Sequence, residues 1–218
     1  MPALKGAFIN LGAGLLGALP NIVVFQFNPV SVTRTPALVQ PPPPPDGKGQ
    51  QNTLEQPDQP TESISFSLRI DATDQLAEKN PITAASGILP TLSALELLMI
   101  PKSSFSLELY RLSGKDSPAM NPPLELPTVL FFWGAYRILP VTIDSLSINE
   151  TEYDPQLNPI RAEVSVSLKV LLPSQVDTQG GFARGAYRYS QGVKEVLAAL
   201  NQSNAVSIGV SPNLSSLL

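Results

Sequence analysis

Residues 63–71 read SISFSLRID. Ile64, Phe66, Leu68 and Ile70 share one parity; Ser65, Ser67 and Arg69 share the other. Successive side chains of a strand point to opposite faces, so this alternation specifies a half-buried, antiparallel strand. Residues 161–171, RAEVSVSLKVL, repeat it, with Val164, Val166, Leu168 and Val170 set against Ser165, Ser167 and Lys169. Residues 128–134, TVLFFWG, are apolar without alternation, as expected of a strand buried on both faces. Across residues 136–154 the apolar parity changes. Val141 and Ile143 lie on one side and Leu146 and Ile148 on the other, which predicts a β-bulge between Ile143 and Leu146.

Working outward, NIVVFQF (21–27) is a further strand, ended by Asn28-Pro29, with a short strand expected over Val30–Arg34. Ala7–Leu19 follows Lys5 and loosely imitates a signal peptide. A single basic residue, Asn10 and four glycines argue instead for a first strand or a pairing arm. The stretch is also shorter than the roughly 20 apolar residues of a membrane span. Residues 35–62 form a low-complexity surface loop centred on Pro41–Pro45. Asp71–Lys79 is helix-like, with Asp71 or Thr73 as cap. Pro90–Ile100 is a helix with Leu92, Leu95, Leu98 and Met99 on one face. Phe105–Leu112 is ambiguous between strand and helix, and Ser113–Pro127 is a loop. After a linker opened by Gly180-Gly181, Tyr189–Asn201 carries a helical stripe of Val193, Val196, Leu197 and Leu200. The Ser-rich end of the chain looks mobile unless a partner orders it. The expected fold is mainly β with one or two helices: five or six strands in a β-barrel or sandwich. Residues 1–172 form that domain, and 173–218 form a C-terminal helical segment and tail.

Composition narrows the chemistry. The 218 residues include no Cys and no His, which excludes disulfides, thiolate metal sites and any imidazole base. Lys and Arg number 14 against 18 acids, for a net charge of −4, and no basic stripe points to nucleic acid. Charged residues make up 15% of the chain, below the usual ~25%. A surface covered by Ser, Gln and Asn accounts for that shortfall; the sharper alternative is a surface largely covered by neighbouring subunits.

The best carboxylate candidates are Asp144, Glu150, Glu152 and Asp154. Glu150 and Glu152 lie two apart, so on a regular strand they share a face and could do acid–base work or hold a divalent cation. A solvated strand face beside a turn is the plainer account. Ser113-Gly114-Lys115 lacks the spacing of a Ser-Lys nucleophile, and Gly12-Ala13-Gly14 is only a fragment of a nucleotide-binding pattern. Trp133 and Tyr136 have the chemistry to stack on a sugar or base, but their apolar setting favours core packing. The residues therefore read as a non-catalytic chain without metal or cofactor.

Three signatures occur in order: F-x-F-N-P (Phe25, Phe27, Asn28, Pro29), F-x-W-G (Phe131, Trp133, Gly134) and Y-D-P…P-x-R-A-x-V (Tyr153, Asp154, Pro155, Pro159, Arg161, Ala162, Val164). With them, residues 18–172 resemble the N-terminal tube-like domain of contractile injection system tube-initiator proteins. The resemblance implies a tail-tube- or Hcp-like fold in a homo-hexameric ring. Such a ring would sit at the baseplate between a VgrG-like spike trimer and the rings of inner tube protein, with other baseplate proteins around it. It would be made in the cytoplasm and assembled into the particle. Many relatives carry a C-terminal LysM module; residues 173–218 show no such pattern, so glycan binding is not carried over. A non-catalytic carbohydrate- or peptide-binding β-domain is the alternative reading.

Overall fold

The computed structural model describes residues 4–10, 21–38, 60–100, 127–176 and 181–207. Its frame is one antiparallel sheet of seven strands: β1 (Ala7–Asn10), β2 (Asn21–Val24), β3 (Thr33–Ala37), β4 (Thr61–Asp71), β5 (Val129–Phe132), β6 (Ile138–Tyr153) and β7 (Pro159–Val170), in the order β2-β1-β5-β6-β7-β4-β3. The chain is mainly β, as the alternation predicts. The sheet is not closed into a barrel; β2 and β3 remain its edges. The described residues hold seven strands and four helices, more of each than the sequence suggests.

The long strands follow their sequence pattern. Ile64, Phe66, Leu68 and Ile70 of β4 are buried, as are Val164, Val166, Leu168 and Val170 of β7. Val129, Leu130 and Phe131 of β5 are buried in succession, because the strand lies between β1 and β6 and both its faces are covered. On β6 the register shifts between Ile143 and Ser145, so that Asp144 is skipped in the ladder. This is the bulge predicted from the parity change. Its effect is to keep Leu146 and Ile148 packed against the core while Ser145 and Ser147 turn to the opposite face.

The sheet curls strongly. In a flat sheet β4 and β5, with β6 and β7 between them, would lie about 14 Å from each other. Here the rings of Phe66 (β4) and Phe131 (β5) stack with centroids 5.4 Å apart, and Phe8, Phe25 and Trp133 complete a five-ring cluster. Gly6 makes this possible: a Cβ there would stand 2.6 Å from the Phe25 ring and 2.9 Å from Trp133. Trp133 is half-buried against this cluster, whereas Tyr136 is 69% exposed. The expected core placement of Tyr136 is thus overturned. The chain turns at Gly134, with φ +78°, and leaves the apolar run before Tyr136 is reached.

Helices α1 (Thr73–Ala77), α2 (Pro81–Ser86) and α3 (Leu89–Glu96) follow β4. Asp71 accepts bonds from the amide and hydroxyl of Thr73 at the start of α1, although Ala72 holds the cap position. Asn80 caps α2, with Pro81 in the first turn. Leu92 and Leu95 of α3, and Leu98 just beyond it, are buried. The helix ends at Glu96, four residues short of the expected Ile100. Further along the chain, α4 (Gly181–Ser207) is longer than the pattern indicated, and Gly181 begins the helix instead of preceding it in a linker. Ala183, Ala186, Tyr187 and Ser190 bury its first half. Ser190 Oγ donates to the carbonyl of Ile138 (2.6 Å) and accepts from its N–H (3.1 Å), taking the place of a strand partner at the start of β6.

The short strand expected over Val30–Arg34 lies at Thr33–Ala37, and β4 begins at Thr61, so the proline-rich loop is shorter than 35–62. Its Pro41–Pro45 centre, Gly12-Ala13-Gly14, Phe105–Leu112, Ser113-Gly114-Lys115 and the last eleven residues lie outside the described residues.

Candidate functional site

The four candidate carboxylates do not form one site. A second register shift falls between Glu150 and Glu152, because Thr151 is skipped in the ladder. Glu150 stands opposite Ala162, a core residue, whereas Glu152 stands opposite Arg161. Residues directly opposite in an antiparallel pair share a face. The bulge therefore puts the two glutamates on different faces, which corrects the expectation of a shared one. Glu152 is ion-paired with Arg161. Asp154 closes the β6–β7 turn, accepting from the amides of Gln156 and Asn158 at 2.8 Å and from the Asn158 side chain. Those bonds, led by the Asn158 side chain, hold its carboxyl below the ordinary range. Asp144 is exposed at the first bulge. Among the described residues no group of three or more metal-ligating side chains is gathered.

The residues of the three signatures have structural work. Phe25, Phe131, Ala162 and Val164 are core. The Asn28 side chain ties the chain after β2 to the N-terminal segment: its Oδ1 accepts from Gly6 N–H (2.9 Å) and its Nδ2 donates to the Leu4 carbonyl (2.8 Å). Arg161 joins β7 to β4 through Asp71 at 2.8 Å. Asp71 titrates at about 2, held down first by the Thr73 hydroxyl and then by the Thr73 amide and Arg161, against the upward push of burial.

One buried charge was missed in the sequence. Glu62 is 7% exposed and lies on β4 with the parity of Ile64. It accepts from Arg34 of β3 and from Lys194 Nζ of α4 (3.3 Å). Burial alone would raise its pKa; the two cations outweigh burial and lower it. Glu62 therefore ties β3, β4 and the middle of α4 together. Its only sequence signal is its place on the even parity of β4, masked by the polar composition around it.

The informative surfaces are three. On the non-core face, Ser65, Ser167 and Ser145 form one rung across β4, β7 and β6, and Ser67, Ser165 and Ser147 form the next. Ser67 Oγ and Ser165 Oγ are 3.4 Å apart. This serine floor and the segment 27–33 line an open groove of about 1030 Å³. At the β2 edge, Ile22 and Val24 are exposed, together with Leu97 and Ile100 at the end of α3, which packs on β2. On the second half of α4, Val196, Leu197 and Leu200 are exposed. They are three of the four residues of the expected helical stripe, and none of the three is buried by the described residues; the fourth, Val193, is half-buried. No helix among the described residues is long and apolar enough to cross a membrane.

No protein-family model matches the chain, and no curated protein matches it.

Proposed function

We propose that this chain is a structural ring component: a hexameric initiator ring that joins the spike to the inner tube at the baseplate of a contractile injection particle. The observation that carries the assembly part is the presence of two separate apolar patches, at the β2 edge and on α4. A patch that meets its own copy makes a two-fold dimer. Two different patches that meet each other make a head-to-tail contact, which closes into a ring or grows as a filament. The edges at β2 and β3, which have no further strand beside them among the described residues, agree with this, since open edges and exposed apolar side chains are normally covered. The particle and the place in it rest on the three signatures and their order. The serine floor supports the reading as two successive rungs of sheet face without large apolar or charged side chains.

Mixing two variants tests the head-to-tail contact. Val24→Asp damages one patch and Leu197→Asp the other, both at exposed positions where surface substitutions change stability little. Each variant alone is expected to be monomeric, and an equal mixture is expected to form a dimer that cannot grow. A mixture that stays monomeric while both variants keep the wild-type melting temperature would count against two complementary patches.

A further inference from the structure

Three elements bring cations to one buried carboxylate. On β4, Glu62 stands opposite Pro36, and Arg34 of β3 reaches across to donate from Nε to Glu62 Oε1. From α4, Lys194 Nζ reaches Glu62 Oε2 at 3.3 Å. Arg137 closes the β5–β6 turn, where its carbonyl accepts from Trp133 N–H at 2.8 Å. The next residue, Ile138, is bonded to Ser190 Oγ, and Lys194 follows Ser190 by about one turn of α4. The half-buried Arg137 thus lies near enough to Arg34 and Glu62 for both charges to act on it.

Three cations around one carboxylate leave a local excess of positive charge, in a chain whose net charge is −4. Among the described residues, Glu62 is the one acid whose charge acts on Arg137. Burial, and then the like charge of Arg34, lower the Arg137 pKa, and Glu62 does not offset them. Donors are in surplus too. Glu62 engages Nε of Arg34 and Nζ of Lys194. The terminal nitrogens of Arg34 and the guanidinium of Arg137 make no hydrogen bond to the described residues. Each guanidinium carries five N–H donors in a planar fork. Arg34 is exposed at the sheet edge, and no Arg137 nitrogen is both sealed from solvent and without a partner, so a ligand can reach both.

We propose that Arg34, Arg137 and Lys194 form an oxyanion site beside Glu62, which takes a carboxylate or phosphate group. Guanidiniums present the paired donors that such groups accept, and Lys194 adds a point charge. Glu62 stays in place and holds Arg34 and Lys194, while the bound anion neutralises the remaining charge. The site needs neither apolar patch, so it stands apart from ring assembly. Two sources share this chemistry: a free anion, and an acidic side chain of a neighbouring copy, because Lys194 lies about one turn from the exposed Leu197.

The probe is inorganic phosphate, titrated at constant ionic strength into the full-length wild type and into full-length Val24→Asp, which damages the β2 patch. The readout is the set of arginine Nε–H resonances. Saturable shifts of the Arg34 and Arg137 signals are expected in Val24→Asp. In that background Arg137→Gln is expected to weaken binding, followed at Arg34, by about tenfold with the melting temperature unchanged. Arg137→Lys keeps the charge and is expected to bind between the two. Arg69→Gln removes a cation whose side chain is 64% exposed and is expected to change nothing. Equal binding by wild type and Val24→Asp supports the site with a free anion as its source. Weaker binding by wild type supports it with a carboxylate of a neighbouring copy as its source. The proposal is overturned if neither signal saturates, or if Arg137→Gln binds as tightly as its parent. It is also overturned if Arg69→Gln weakens binding as much as Arg137→Gln, which means an adventitious ion only.

Discussion

Phe131→Ala is expected to lower the stability of the fold by about 3–5 kcal/mol. Phe131 is fully buried and sits at the centre of the aromatic cluster, with ring contacts to Phe8, Phe25, Phe66 and Trp133. Three of those partners come from β1, β4 and the segment after β2. Truncation therefore leaves a cavity bounded by distant parts of the sheet, and partial collapse at one wall cannot fill it. Chemical denaturation of the purified chain measures the loss, which corresponds to a fall in Tm of about 10 °C for a domain of this size. A loss below about 1 kcal/mol would contradict the curled sheet, because Phe131 and Phe66 meet only if the sheet bends. Trp133→Ala should cost less than Phe131→Ala, since Trp133 is half-exposed.

Gly87→Ala is the second large effect. Gly87 follows α2 with φ +57°, where a side chain is strained in its own right. A Cβ there would stand 2.1 Å from the carbonyl oxygen of Pro159. That oxygen accepts the Ile88 N–H at 2.9 Å, the bond that docks the α2–α3 junction on the start of β7. The variant must either move the junction away or twist the β6–β7 turn, and both release packing under α3. A loss of about 3 kcal/mol or more is expected. Gly192→Ala is the control. It lies in α4 with nothing within 4 Å of its Cβ position, so it should stabilise by about 0.5–1 kcal/mol. Equal melting temperatures for Gly87→Ala and wild type would refute the close approach of Gly87 to β7.

The parts of the fold legible in the sequence are those where apolar spacing is regular. The period of two in β4 and β7, the unbroken apolar run of β5 and the parity change at Asp144 each left a direct mark. The second bulge left none. The run Asn149–Tyr153 is polar on both parities, so skipping Thr151 moves no apolar residue out of phase. That is why Glu150 and Glu152 looked like a pair. Glu62 was hidden for another reason. Its partners Arg34 and Lys194 are 28 and 132 residues away, and no local pattern reports such contacts. Short α2 has no periodicity to read, although Asn80-Pro81 is a cap followed by a first-turn proline. Periodicity on α4 identified its apolar stripe correctly, but spacing along a helix does not say what covers the stripe. Here the sheet covers the face set by Ala183, Ala186 and Tyr187 and leaves Leu197 and Leu200 outside. Closure of the sheet was equally out of reach, because it depends on whether β2 and β3 meet, and neither strand carries a pattern for its edge.

The assembly state of the full chain tests the central claim most directly. Native mass measurement of the purified protein is predicted to give six copies of the 23.3-kDa chain, about 140 kDa. A single mass of one chain that persists as the concentration is raised would contradict the ring.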